Sequence, residues 1–277
     1  MGTPYSNYSK LQRLEGKVVL VTGATGILGR HFCCGFAELG ASVVVVDINS
    51  NKVDAVANEI VDQHSVRAIG IACDVSSPES VEQMVDQVVT NLGEINVLHN
   101  NAATKGNDVR AFFTRFEDYP LEIWREIMAV NIDGMFLVAK SVGKQMIQQG
   151  EGGSIIQTSS IYGMLGPDPR IYEGSNYLGG PINTPAVYSA SKAAVIGLTR
   201  YLATYWAPHN IRVNCLVPGG VESGQNTEFL ERYSQRVPLG RMARPTEIVG
   251  AALFLASDSA SYVTGQVLAV DGGWSAW

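Results

Sequence analysis

The chain has 277 residues, 46% of them apolar, and a formal net charge of −6. That length buries a sizeable core, while the acidic balance, without any run of basic residues, excludes a nucleic-acid surface. No apolar stretch reaches the roughly 18 residues a membrane helix needs, and the start, MGTPYSNYSKLQRLEG, lacks the apolar core of a signal peptide.

In chain order, KVVLVT (17–22) is a β-branched run ending in glycines, as a buried parallel strand should. ILGRHFCCGFAEL carries apolar residues at helical spacing and stops at Gly40, a C-cap. SVVVVD is the next strand, NKVDAVANEIVDQH a helix and RAIGIACD a strand. Ser77 as N-cap and Pro78 at the first helical position open a helix that ends at Gly93. INVLHNNAA is a strand, two helical stretches occupy 120–149, and GSIIQTSS is a strand. A long helix follows over 185–206, then the strand IRVNCLV and a less regular segment. A helix over 245–256 and a strand in GQVLAVDGG close the chain. Apolar strands alternating with helices predict an α/β fold. Right-handed crossovers make it a doubly wound (Rossmann) parallel sheet of about seven strands with helices on both faces. Residues 16–277 read as a single domain, and residues 1–15 as an arm.

Cys33, Cys34, Cys73 and Cys215 sit inside apolar patterns without CxxC or Cys/His spacing. They read as buried free thiols, with no metal site, in a reducing, cytoplasmic setting.

VTGATGILG (21–29) joins the first strand to the first helix. Gly23, Gly26 and Gly29 allow a tight turn, close approach to a pyrophosphate and close helix–strand packing. The phosphates would lie over the helix N-terminus. Asp47 ends the next strand, where a carboxylate accepts from a ribose 2′-hydroxyl and repels a 2′-phosphate. Ala24, Thr25, Ile48 and Asn49 supply no basic residue, so NAD is favoured over NADP. The plainer alternative is that Asp47 only caps the next helix.

YSASK places Tyr188 and Lys192 four apart on one helix face. A phenol titrates near 10, too high for acid–base work at neutral pH, and a nearby ammonium lowers that value. Ser159 and Ser160 end a buried strand, the edge where α/β sheets bind ligands. A serine there holds a carbonyl oxygen while tyrosine protonates it. Asn131 stands in an apolar helical pattern, either satisfied by backbone or anchoring a water that links Lys192 to solvent.

With CDV (73–75), NNAA (100–103) and PGGVES (218–223), these motifs resemble, in order, the compact, single-domain short-chain dehydrogenase/reductase family from Gly16 onward. The resemblance implies that Asn131, Ser160, Tyr188 and Lys192 form the catalytic set and that Lys192 also holds the nicotinamide ribose. Ser160 is preferred to Ser159 because it directly precedes IYG, and Ser159 should face the opposite way. The resemblance puts Asp74 and Val75 near adenine. Gly23, Thr25, Gly26, Ile27, Leu28, Gly29, Asp47, Ile48, Asn101, Ala102, Ala103, Pro218 and Gly219 border the cofactor with Tyr188 and Lys192. The Val221 backbone and Ser223 meet the carboxamide. A homotetramer is implied, built on the apolar helix face at 193–202 and the C-terminal strand region, with a homodimer as the alternative.

Two departures stand out. The glycine loop reads TGxxGxxG, with Ile27 where compact members place the middle glycine, a spacing similar to that of sugar-nucleotide epimerases and dehydratases. Residues 164–186, between the serine and the tyrosine, are enlarged and polar, so the segment must border the substrate pocket. Its composition points to a small hydroxylated or charged molecule, such as a sugar. Arg170 either clamps an anion or pairs with Asp168 or Glu173. Tyr162, Tyr172 and Tyr177 are candidate substrate contacts, the loop tyrosines alternatively mere packing. GPDPRIYEG and the glycine loop resemble oxidoreductases of flagellin-modification and nonulosonic-acid sugar pathways. The expected activity is NAD(H)-dependent hydride transfer on a polar secondary alcohol or carbonyl. The alternatives are an epimerase or dehydratase holding NAD tightly, and a non-catalytic NAD-binding scaffold.

Overall fold

A computed structural model describes residues 8–277; residues 1–7 of the expected arm lie outside the described residues. A short 3₁₀ turn, Tyr8–Gln12, precedes β1 (Val18–Thr22), α1 (Ile27–Glu38), β2 (Ser42–Asp47), α2 (Ser50–His64) and β3 (Ala68–Ala72). Next come α3 (Pro78–Leu92), β4 (Val97–Asn100), α4 (Val109–Phe112), α5 (Leu121–Met128), a π-helical turn (Ala129–Gly134) and α6 (Met135–Gln149). β5 (Gly153–Thr158), the short strands β6 (Asn176–Tyr177) and β7 (Gly180–Pro181), and α7 (Ala186–Tyr205) follow. The chain ends with β8 (Ile211–Pro218), α8 (Thr227–Gln235), α9 (Pro245–Ala256) and β9 (Val267–Val270).

Seven strands form one parallel sheet in the order β3-β2-β1-β4-β5-β8-β9. The order reverses beside β1, the switch point where doubly wound sheets open a ligand crevice. Every residue of β1 and β4 is buried, because both sheet faces are covered. On one face Phe32 and Phe36 of α1, Val53 and Ile60 of α2, and Ile248 and Leu255 of α9 pack together. On the other, Met84 and Val88 of α3, Val142 and Met146 of α6, and Trp206 just past α7 do the same. Each large apolar side chain so buried contributes about 1.5–3 kcal/mol, more than the about 1 kcal/mol of a typical helix cap. The patterned runs are therefore the elements that form.

Four expectations are corrected. Leu14 is buried and its N–H donates to Leu39 O at 2.9 Å, so the expected arm joins the core before residue 16. α1 ends at Glu38 with Leu39 as its cap, one residue before Gly40. Cys34 is only partly buried, while the other three thiols are buried and all four are free. The less regular segment contains α8: Asn226 accepts from Phe229 N–H at 2.8 Å as its N-cap, and Tyr233 is buried against Trp274, ring centroids 4.5 Å apart.

Candidate active site

The glycine loop follows β1 at the C-terminal edge of the sheet. Gly26 caps α1 with no side-chain hydrogen bond, so the first N–H groups of the helix have no side-chain partner there. Gly29 packs α1 onto the loop so closely that an added Cβ would lie 2.1 Å from Gly23 O. Ile27, in place of the middle glycine, begins α1 as an exposed side chain.

Asp47 does not cap α2, because Asn49 does so by accepting from Lys52 N–H. Instead Asp47 Oδ2 accepts from the Thr25 amide at 3.0 Å and the Thr25 hydroxyl at 2.8 Å, tying β2 to the glycine loop. Its Oδ1 accepts from Ile48 N–H, and the Ile48 side chain stands exposed beside it. An uncapped helix N-terminus, a closely packed glycine and a carboxylate at the end of β2 fit a dinucleotide. Asp74 accepts from Ser76 N–H and Oγ in a local turn, and Val75 is buried.

Thr22 is a hub that sequence reasoning missed. Its buried hydroxyl donates to Asn100 Oδ1 and accepts from the Asn101 and Ala102 amides, at 2.9 and 3.1 Å. It thereby fixes the ends of β1 and β4 at the crevice. The only signal in the sequence was a threonine ending an apolar strand just before the glycines.

The four expected catalytic residues come from three elements. Ser160 lies just beyond β5, where it caps a 3₁₀ turn by accepting from Tyr162 N–H at 3.3 Å. Ser159 turns the other way, its hydroxyl donating to Lys192 O at 2.6 Å. On α7, Lys192 is buried with Nζ donating to Thr158 O at 3.1 Å, and lies 5.9 Å from the centroid of the Tyr188 ring. Burial lowers the Lys192 ammonium to about 8. Burial also raises the Tyr188 phenol above its ordinary value, outweighing a Ser160 hydrogen bond that lowers it. The expected acidification of Tyr188 is therefore not produced by the protein alone. Asn131 is fully buried in the π turn, a form frequent at functional sites. Its side chain holds Thr104 by both ends, accepting from N–H at 2.7 Å and donating to O at 3.3 Å.

Ser160 and Tyr188 share a cavity of about 660 Å³ with Ile27, Tyr162, Tyr172, Tyr177, Gly219, Val221 and Ser223. The enlarged segment walls it as an ordered structure, with a 3₁₀ turn at Pro169–Tyr172 and the antiparallel β6–β7 pair. Arg110 of α4 donates to Tyr177 O and Pro181 O, at 3.2 and 3.0 Å. From the other side, Tyr172 stacks on Phe229 of α8 at 5.5 Å and Arg232 pairs with Glu173. The Tyr172 hydroxyl bonds Thr184 and donates to the Tyr162 hydroxyl.

Arg170 is corrected as an anion clamp. Its guanidinium grips both oxygens of Asp168 at 2.8 and 2.7 Å, and it does not line the cavity. Among the described residues the one charged side chain in the lining is Lys105, and it forms no ion pair with any of them. The lining is also more aromatic than the segment's composition suggested, with Phe112, Phe113 and Phe229 contributed by α4, its C-cap and α8.

A crevice at the switch point, with Tyr188 and Ser160 on its wall and Lys192 buried behind them, fits a nicotinamide-dependent oxidoreductase. The family model described as Enoyl-(Acyl carrier protein) reductase matches residues 23–275. The chain belongs to the short-chain dehydrogenase/reductase family. It is 37% identical to the 3-oxoacyl-[acyl-carrier-protein] reductase FabG of Thermotoga maritima, over 94% of this chain and 98% of that protein. It is 34% identical to a galactitol 2-dehydrogenase (L-tagatose-forming) of Cereibacter sphaeroides, over 98% and 100%. A gluconate 5-dehydrogenase from Burkholderia cenocepacia, solved with NADP and tartrate, superposes with a TM-score of 0.84 at 31% identity, covering 97% and 98%.

Proposed function

We propose that the protein is an NAD(H)-dependent dehydrogenase of polyhydroxylated secondary alcohols, working reversibly with the corresponding carbonyl compounds. The observation that carries this reading is the placement of Tyr188 and Ser160 on one cavity wall with Lys192 buried beneath. The nicotinamide, when bound, accepts or supplies the hydride. Ser160 holds the substrate oxygen, the Tyr188 phenolate takes its proton in oxidation, the phenol returns it in reduction, and Lys192 stabilises the phenolate form. Asn131 acts by fixing the Thr104 backbone beside the site. Gly23, Thr25, Gly26, Leu28, Gly29, Asp47, Ile48, Asp74, Asn101, Ala102, Ala103 and Pro218 serve the cofactor, and Tyr162 and Tyr172 the substrate.

Support for a polyol comes from the Tyr162–Tyr172–Thr184 hydroxyl set, and Lys105 favours members that carry a carboxylate. Asp47 supports NAD, because a 2′-phosphate beside its carboxylate would be repelled. The test is to titrate the protein with NAD and NADP while following thermal stability, then to compare gluconate with sorbitol by NADH formation. Stabilisation by NAD and faster oxidation of gluconate are expected. Stabilisation by NADP alone would overturn the Asp47 argument, and sorbitol matching gluconate would remove the role given to Lys105.

The same reading includes a homotetramer in a cytoplasmic, reducing setting that leaves four thiols free. No helix among the described residues is long and apolar enough to cross a membrane. Phe136 of α6 and the stacked pair Tyr201 and Tyr205 of α7 are exposed aromatics suited to a subunit contact. Sedimentation as a monomer at micromolar concentration would contradict it.

A further inference from the structure

Beyond β8 the chain turns through Val221, Ser223 and Gly224, where Gly224 has φ of +82°. This left-handed step suits glycine and brings the side chain of Gln225 back onto the segment preceding it. The Gln225 carboxamide is held there by three hydrogen bonds. Its Nε2 donates to Val221 O at 2.8 Å and to Ser223 Oγ at 2.9 Å, and its Oε1 accepts from Ser223 N–H at 2.8 Å. The orientation is fixed chemically, since Val221 O only accepts and the Ser223 amide only donates.

This corner of the cavity therefore binds a primary carboxamide, and Gln225 lines the same cavity as Tyr188. A nicotinamide dinucleotide carries one primary carboxamide, on the ring that must lie beside Tyr188 for hydride and proton transfer to the same substrate. We propose that Gln225 is an internal competitor for the nicotinamide carboxamide, occupying its donor and acceptors and leaving them when the cofactor binds. The inference rests on the cofactor reading above. The side chain weakens cofactor affinity by the fraction of time it holds the corner, since apparent affinity scales with the competent population. Gln225 directly precedes Asn226, the N-cap of α8, whose Oδ1 also accepts from the Ser175 hydroxyl of the enlarged segment. The competing side chain is thus fastened next to the element that braces the substrate wall.

The experiment is calorimetric titration of the wild-type chain and a Gln225→Ala variant with NAD and with ADP-ribose, which lacks the nicotinamide. Removing the competitor should tighten NAD binding about tenfold, from release of a carboxamide held by three modest hydrogen bonds. ADP-ribose affinity should change less than twofold, which also reports that the variant is folded. A Gln225→Glu variant, unable to donate to Val221 O, should fall on the alanine side. NAD affinity unchanged or weakened in Gln225→Ala, or both ligands shifted alike, overturns the proposal. Failure of both ligands to bind the wild-type chain would overturn the cofactor reading itself.

Discussion

Replacing Tyr188 with phenylalanine should lower kcat by about 10²–10⁴-fold, the usual contribution of a positioned acid–base group. The substitution keeps the ring, which lies 5.9 Å from Lys192 Nζ, and removes only the hydroxyl. Thermal stabilisation by NAD should persist, because the glycine loop and Asp47 are untouched. The wild-type phenol is raised by burial, so oxidation should accelerate with rising pH as the tyrosinate forms. The variant should lose that dependence. Pre-steady-state absorbance of NADH, recorded from pH 6 to 10, separates the two enzymes. Full activity in the variant would move the acid–base role to another group.

A larger effect is expected on stability from Gly29→Ala. The new Cβ would stand 2.1 Å from Gly23 O and 2.7 Å from Ala24 Cα, backbone atoms that no rotamer can move aside. The helix must shift off the loop, at the upper end of the about 1–3 kcal/mol seen for overpacked cores or beyond it. For a chain of this size that lowers Tm by roughly 6–12 °C. Cofactor binding should weaken with it, since the same shift misaligns the α1 N–H groups. Gly26→Ala is the control, its Cβ meeting only Gly23 O at 3.4 Å, and should melt within a few degrees of the wild type. Equal melting temperatures for Gly29→Ala and the wild type would sink the packing argument.

Sequence alone determined the sheet and most helices, and named a candidate chemical set. Its strands, buried on both faces, demand unbroken apolar runs such as VVLVT and SVVVVD, which no loop tolerates. Ser77 and Pro78 announced the start of α3 as plainly as any measured angle. Tyr188 and Lys192 were legible as a pair because four residues is about one helical turn, but their role, and the choice of Ser160 over Ser159, came from the family resemblance. Tertiary structure decided what depends on contacts between distant segments. Asp168 holds Arg170 away from the cavity, while Lys105, unremarkable in sequence, becomes the cavity's one charge among the described residues. The order of the enlarged segment could not be read from its residues because it is supplied from outside, by Arg110 across 67 residues and by Phe229 of α8. Thr22 and Gln225 carried no pattern at all, since a single hydrogen-bonding side chain has no period to read. The balance of burial against the Ser160 hydrogen bond at Tyr188 likewise belongs to the folded chain, because desolvation exists only once neighbours have closed around the ring.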